Sequence, residues 1–248
     1  GLDSRSGRFH EPANHVSLSE RFPCWCRIPM TVNDTAADLP VDGQELATYV
    51  AAKLCHDFIS PAGAIASGLD LLADPTAQDM REDAMGLIAQ SAKKLVNLVH
   101  FARVAFGAAT TSERFSEPEL HKLVAGMIEG GRATMDWRVD GGDFGKPAAR
   151  ALVNLAYLTV GALPSGGVAT ITTRREGEVI IMEGTAVGNR ARLKPEASTG
   201  MAGERLSEGL AGQWIQPYWL WLTVTGAGGS LAVEVEDGSV RLTAQMSA

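Results

Sequence analysis

Between residues 45 and 72 the apolar side chains recur at helical spacing for roughly seven turns. With about 100° per residue, Ala47, Val50, Leu54, Phe58, Ile65, Leu69 and Leu72 fall within roughly 60° of one line. A second run covers residues 78–106. Met80, Ala84, Leu87, Ile88, Leu95, Leu98, Val99 and Ala102 repeat at three- and four-residue steps, with Arg81, Glu82, Lys93 and Lys94 off the stripe. Asp74-Pro75-Thr76 separates the runs. Pro75 drives its predecessor out of the α region, and Asp and Thr suit a cap. Two long amphipathic helices joined by a short turn make an antiparallel hairpin. A lone hairpin cannot bury both stripes. A second copy would bury them, as a two-fold four-helix bundle, so a homodimer is expected.

The first helix carries a histidine on its far side. His56 falls about 200° from Leu54, where Ala52, Ser60, Gly63 and Ser67 make a face of small side chains, with Ile59 near its edge. A histidine ringed by small residues can be approached by another protein, and Ile59 would give that protein an apolar contact. An incidental surface histidine is the plain alternative. Two neighbours favour a nucleophile. Neutral imidazole is nucleophilic near neutral pH, and the adjacent Asp57 can fix its tautomer or assist proton transfer. Pro61 follows one turn later. A proline inside a helix costs roughly 3 kcal/mol and bends the axis.

From Phe115 the pattern changes to α/β. Helices are expected over 117–130, 146–163 and 214–225. A strand is expected over 134–139, a hairpin from 168–174 and 178–183, and another from 230–236 and 239–245 turning at Asp237-Gly238. A mixed sheet covered on one face by helices follows. The domains expected are a disordered leader over 1–41, a helical hairpin over 42–108 and an α/β sandwich over 115–248. Met30 offers an alternative start, which would make residues 1–29 foreign to the native chain. Cys24-Trp25-Cys26 with His10 and His15 match no common zinc spacing.

Composition excludes other classes. A net charge of −7 argues against a nucleic-acid binder. No apolar run approaches the roughly 18 residues of a membrane span. The first 30 residues lack a secretory pattern, and three cysteines fit a reducing compartment, so the expectation is a cytoplasmic protein.

His-acidic-x-x-Ser-Pro resembles the phosphoacceptor box of sensor histidine kinases. The longer run LCHDFISPAGAIASGLDLL is similar to the ChpT-type histidine phosphotransferases of bacterial cell-cycle phosphorelays. The likeness continues through DPTAQDMREDAMGLIAQSAKKL, RVAFGA, GALPSGGVAT, RARLKPE and EGLAGQW. It implies His56 as phosphoacceptor, Asp57 as its helper, and a C-terminal α/β sandwich resembling the histidine kinase ATPase domain. It also implies the partners: a receiver domain of a CckA-type hybrid histidine kinase as donor, and CtrA- and CpdR-type response regulators as acceptors. Magnesium would sit on the receiver, with no cofactor on this chain. Lys53 lies about 60° from His56 and one turn back, where it could pair with an acidic receiver face. Lys53, Ile59, Ser60, Gly63 and Ser67 are therefore the candidate partner-binding residues. Arg81 and Arg103 are weaker candidates. Cys55, His100, His121 and the aromatic residues of 214–221 are read as structural or incidental.

The sandwich departs from the kinase pattern. Kinases carry Asn-Leu-Leu-x-Asn-Ala on a helix, whose second asparagine holds magnesium. Here Asn154-Leu155-Ala156-Tyr157-Leu158-Thr159 puts Leu158 there, and a leucine cannot coordinate a hard cation. Glu183-Gly184-Thr185-Ala186-Val187-Gly188 lacks the Asp-x-Gly-x-Gly spacing. Glu208-Gly209-Leu210-Ala211-Gly212 stands where a glycine-rich lid would be. An acceptor histidine without a phosphate source of its own is the expectation. The alternatives are a divergent ATP-dependent histidine kinase and a non-catalytic dimeric scaffold that binds receivers.

Overall fold

The first helix begins where Asp42 caps it. Asp42 Oδ1 accepts the amide of Glu45 at 2.8 Å, satisfying one of the free N–H groups of the first turn. In this computed structural model, which describes residues 41–107 and 114–247, helix α1 (Gly43–Ala73) runs unbroken through Pro61. Asp74 ends it and turns the chain, its carboxylate accepting both the amide and hydroxyl of Thr76. A 3-10 turn (Gln78–Met80) leads into α2 (Arg81–Ala105). Gly68 explains how closely the two helices approach. A Cβ there would meet Ile88 Cγ1 at 2.6 Å and the Ala84 carbonyl at 3.2 Å. Of the expected leader over residues 1–41, residues 1–40, including His10, His15, Cys24 and Cys26, lie outside the described residues, as do linker residues 108–113, while Val41 is buried in the fold.

The sandwich follows. Strand β1 (Arg114–Ser116) pairs antiparallel with β3 (Asp143–Gly145). Between them come α3 (Glu117–Ile128) and β2 (Ala133–Arg138). Then come α4 (Lys146–Gly161), β4 (Gly167–Glu176), β5 (Val179–Val187), α5 (Pro195–Met201), α6 (Ala211–Gly226), β6 (Ser230–Glu236) and β7 (Ser239–Ser247). The main sheet has order β2-β4-β5-β7-β6, with β2 and β4 parallel and the other pairs antiparallel. The 239–247 strand turns back at Gly238, whose φ of 72° favours glycine. Burial alternates along the strands. Ala169, Ile171, Ile180, Met182, Val240, Leu242 and Ala244 face the helices. Thr170, Thr172, Thr185 and Thr243 take the other face, only half-buried, so one side of the sheet is open to water.

The hairpin and the sandwich share their core. Phe101, Val104 and Ala105 of α2 pack with Leu120, Val124, Leu152 and Leu155 of α3 and α4. A second cluster joins Trp214, Ile215 and Tyr218 of α6 to Val41, Leu46, Tyr49 and Val50 at the start of α1. The aromatic residues of 214–221 are thus structural, as expected. Tyr49 meets Trp214 edge-on at 5.3 Å, and Trp214 stacks on Tyr218 at 4.5 Å.

Some boundaries differ from the sequence reading. The β1–β3 pair and α5 were not expected, because three-residue strands and a seven-residue helix hold too few residues to show a period. The α1 stripe is rotated from its expected centre. Pro61 and Gly68 are its buried residues, while Leu69 is 54% exposed. One hairpin partner and one sandwich edge cover only part of the apolar arc.

Candidate functional site

His56 stands on α1 with its side chain 86% exposed. Its Nδ1 lies 3.3 Å from Asp57 Oδ1, and in the Nδ1–H tautomer it donates there. That leaves Nε2 with a free lone pair. The other carboxylate oxygen of Asp57 pairs with the ammonium of Lys53, one helical turn earlier. Pro61 has no amide hydrogen to give the carbonyl of Asp57, its i−4 partner, so the turn after His56 lacks one rung of its ladder.

Two hollows flank this carboxylate. A cleft of about 450 Å³ opens between α1 and the α4–α6 side of the sandwich, and its walls include Tyr157, Leu158, Arg192 and Lys194. A smaller one, about 320 Å³, shares His56, Asp57 and Tyr157 and adds Ser60, Lys94 and Met127. Tyr157 reaches the site from α4. Burial raises the pKa of its phenol, and the charge of Asp57 raises it further.

The other expected residues separate into groups. Ile59, Ser60, Gly63 and Ser67 are all exposed beside His56. Ile59 is 69% exposed, which is high for a large apolar side chain. A Cβ added at Gly63 would have nothing within 4 Å, so no contact within the chain demands glycine there. Lys53 is different, being 11% exposed and already paired. Arg81, Arg103, Cys55 and His100 are exposed, and His121 stacks on Trp137 at 5.2 Å.

The positions compared with kinase elements are clear. Leu158 lines the larger cleft. Asn154 is fully buried and bonded to Ala105 and Gln216. Glu183 is outside the residues lining the cleft and has Arg241 3.8 Å away. Gly209, with φ 104°, shapes the turn into α6, where the Leu210 amide donates to Glu196 at 3.2 Å. Among the described residues no group of three or more His, Cys, Asp or Glu could hold a metal, and no helix is long and apolar enough to cross a membrane.

Lys53 was expected near His56, and the structure pairs it with Asp57. The signal was present in their i,i+4 spacing. Nothing in the sequence pointed to Tyr157, which arrives on α4 about a hundred residues later.

A helical hairpin bearing an exposed histidine, closed by an α/β sandwich, is the architecture that the sequence resemblance implied. Comparison with known proteins makes this particular. Residues 117–239 match the family described as Histidine phosphotransferase C-terminal domain. The Protein phosphotransferase ChpT of Brucella abortus (strain 2308) is 28% identical over 207 residues, covering 81% of this chain and 95% of that protein. A solved structure described as a bacterial phosphotransferase superposes with a TM-score of 0.73 at 26% identity, covering 83% of this chain and 99% of that one. The resemblance to ChpT-type histidine phosphotransferases seen in the sequence is thereby shown.

Proposed function

We propose that this protein is a histidine phosphotransferase that carries a phosphoryl group between receiver-domain aspartates through His56, without binding ATP. The observation that carries the reading is the state of His56. Its ring stands in solvent, one nitrogen engaged by Asp57 and the other free. Leu158, where a kinase would hold magnesium, lines the neighbouring cleft instead.

The step balances without an added base. The Nε2 lone pair attacks the phosphorus of a receiver's phosphoaspartate in line. The P–N bond forms as the P–O bond to the carboxylate breaks, and the carboxylate leaves with the electron pair. Positive charge develops on the imidazole, and Asp57 at Nδ1 compensates it. The receiver's own magnesium and lysine neutralise the equatorial oxygens. Transfer to a second receiver is the reverse step. No cofactor is required of this chain.

The docking face would be Ile59, Ser60, Gly63 and Ser67. Glycine inside a helix costs roughly 1 kcal/mol relative to alanine. No internal contact offsets that at Gly63, so close approach by a partner accounts for it. The donor would be a receiver domain of a CckA-type hybrid kinase, and the acceptors CtrA- and CpdR-type regulators in a cytoplasmic cell-cycle phosphorelay. Leu69, Met85, Val96 and Val99, exposed along both hairpin helices, would be covered by a second copy in a four-helix bundle.

The test is transfer of labelled phosphate. The protein is incubated with labelled ATP alone, and separately with a phosphorylated receiver domain of a CckA-type kinase. Label from the receiver alone, lost in His56→Ala, is the expected result. Label from ATP alone would mean an autokinase. Receiver binding without label in any form would mean a scaffold.

A further inference from the structure

Lys53 and Asp57 lie one turn apart on α1, and their charged ends meet. Lysine N-terminal to the acid is the weaker order for such a pair, and exposed helix pairs contribute only about 0.3–0.5 kcal/mol. Helix stability therefore gives little reason for the contact. Yet the Lys53 side chain is only 11% exposed, beside a histidine that is 86% exposed. Taking an ammonium out of water is costly, even when it is paired. The sandwich faces it there, since Lys53 shares its cleft wall with Tyr157 and Leu158 of α4 and Gln213 and Pro217 of α6.

A carboxylate's terminal torsion is broad and roughly two-fold. Fixing Oδ2 on Lys53 settles where Oδ1 points, and it points at Nδ1 of His56. Tyr157 bounds the carboxylate from the hollows on both sides.

We infer that Lys53 is a positioning residue: facing the sandwich, it sets Asp57 so that His56 is held as the Nδ1–H tautomer with Nε2 free to react. Neutral imidazole left to itself favours a proton on Nε2, which would occupy the nitrogen that faces solvent. The α/β sandwich thus has a task at the acceptor site without any nucleotide, because it keeps the Lys53–Asp57 pair closed. The consequence for rate rests on His56 being the phosphoryl acceptor. The tautomer does not.

Ring-nitrogen NMR of the ¹⁵N-labelled full-length chain tests it, at a pH where His56 is neutral. The wild type should be mainly Nδ1–H. Lys53→Met should at least halve that population, and Lys53→Arg should keep it. In transfer from a phosphorylated receiver domain, Lys53→Met should lower kcat about tenfold while KM stays within about twofold, with Lys53→Arg restoring most of the rate. An unchanged tautomer in Lys53→Met overturns the inference, whether or not the protein transfers phosphate. A raised KM with kcat retained would assign Lys53 to docking and overturn it too. If Lys53→Met fails to fold, Tyr157→Phe and Lys53→Gln in the same NMR experiment decide. A wild-type tautomer in both overturns the inference, and a shift toward Nε2–H in Lys53→Gln supports it.

Discussion

Asn154 donates its side-chain amide to the carbonyl of Ala105, 2.8 Å away, and so ties α4 of the sandwich to the last turn of the hairpin. The same side chain accepts from Gln216 of α6 at 3.1 Å. One buried amide therefore joins three helices. Its Nδ2 also reaches the Arg150 carbonyl at 2.9 Å, so its donors are used within the fold. Removing it would leave the Ala105 carbonyl and the Gln216 amide buried without their partner. Asn154→Leu should destabilise the protein by about 1–3 kcal/mol, read as a lower denaturant midpoint with an unchanged slope.

Much of this arrangement was legible before the fold was known, and the exceptions have physical reasons. The hairpin was readable because long helices repeat their apolar spacing over many turns. The 230–236 and 239–245 strands were readable because alternation meets a turn at Asp237-Gly238, and the second runs two residues further, to Ser247. Asn154 could be placed on its helix, but its partner, Ala105, is forty-nine residues away and uses only a backbone carbonyl. No side-chain pattern encodes such a contact. Exposure of His56 followed from its angle on the helix. Lys53 pointed toward the same side, and only the fold showed that it faces the sandwich.

In the proposed transfer step Asp57 acts through Nδ1 of His56, 3.3 Å away. Asp57→Asn keeps the shape of the side chain but loses the charge that opposes the growing imidazolium. It also releases Lys53. Transfer from a phosphorylated receiver should slow by about 10- to 100-fold, with receiver affinity little changed. Rapid-quench kinetics at saturating receiver would measure it. An unaltered rate would remove Asp57 from the mechanism.

The start of α3 should give the fold an acid-sensitive point. Glu119 is held below the usual carboxylate range, first by the Ser116 hydroxyl and then by the Ser116 amide, which donate at 2.6 and 2.8 Å. A depressed folded pKa contributes stability above the unfolded value, near 4.3, and loses it as pH falls through the folded value. Glu119→Gln should therefore melt below wild type at neutral pH. The two melting temperatures should converge as pH falls from the unfolded value through the lower folded one.

The exposed apolar residues of the hairpin make association testable. Leu69→Glu with Val96→Glu puts charge where a second copy would pack. Sedimentation should show the wild type as a dimer and the double variant as a folded monomer. Retention of the dimer would place the interface elsewhere.

The docking face can be separated from the chemistry. Gly63→Leu adds bulk where the chain itself has nothing within 4 Å, so folding should be preserved. Receiver binding should weaken at least tenfold if that face is where the partner lies, a loss of about 1.4 kcal/mol. Titration calorimetry with a receiver domain would show it.

His56 is the residue proposed to carry the phosphoryl group. After incubation with a phosphorylated receiver domain, mass spectrometry that preserves phosphohistidine should find the added phosphate on His56, acid-labile and stable to base. ³¹P NMR should place it on Nε2. Phosphate on any other residue, or on His56 only after incubation with ATP, would overturn that assignment.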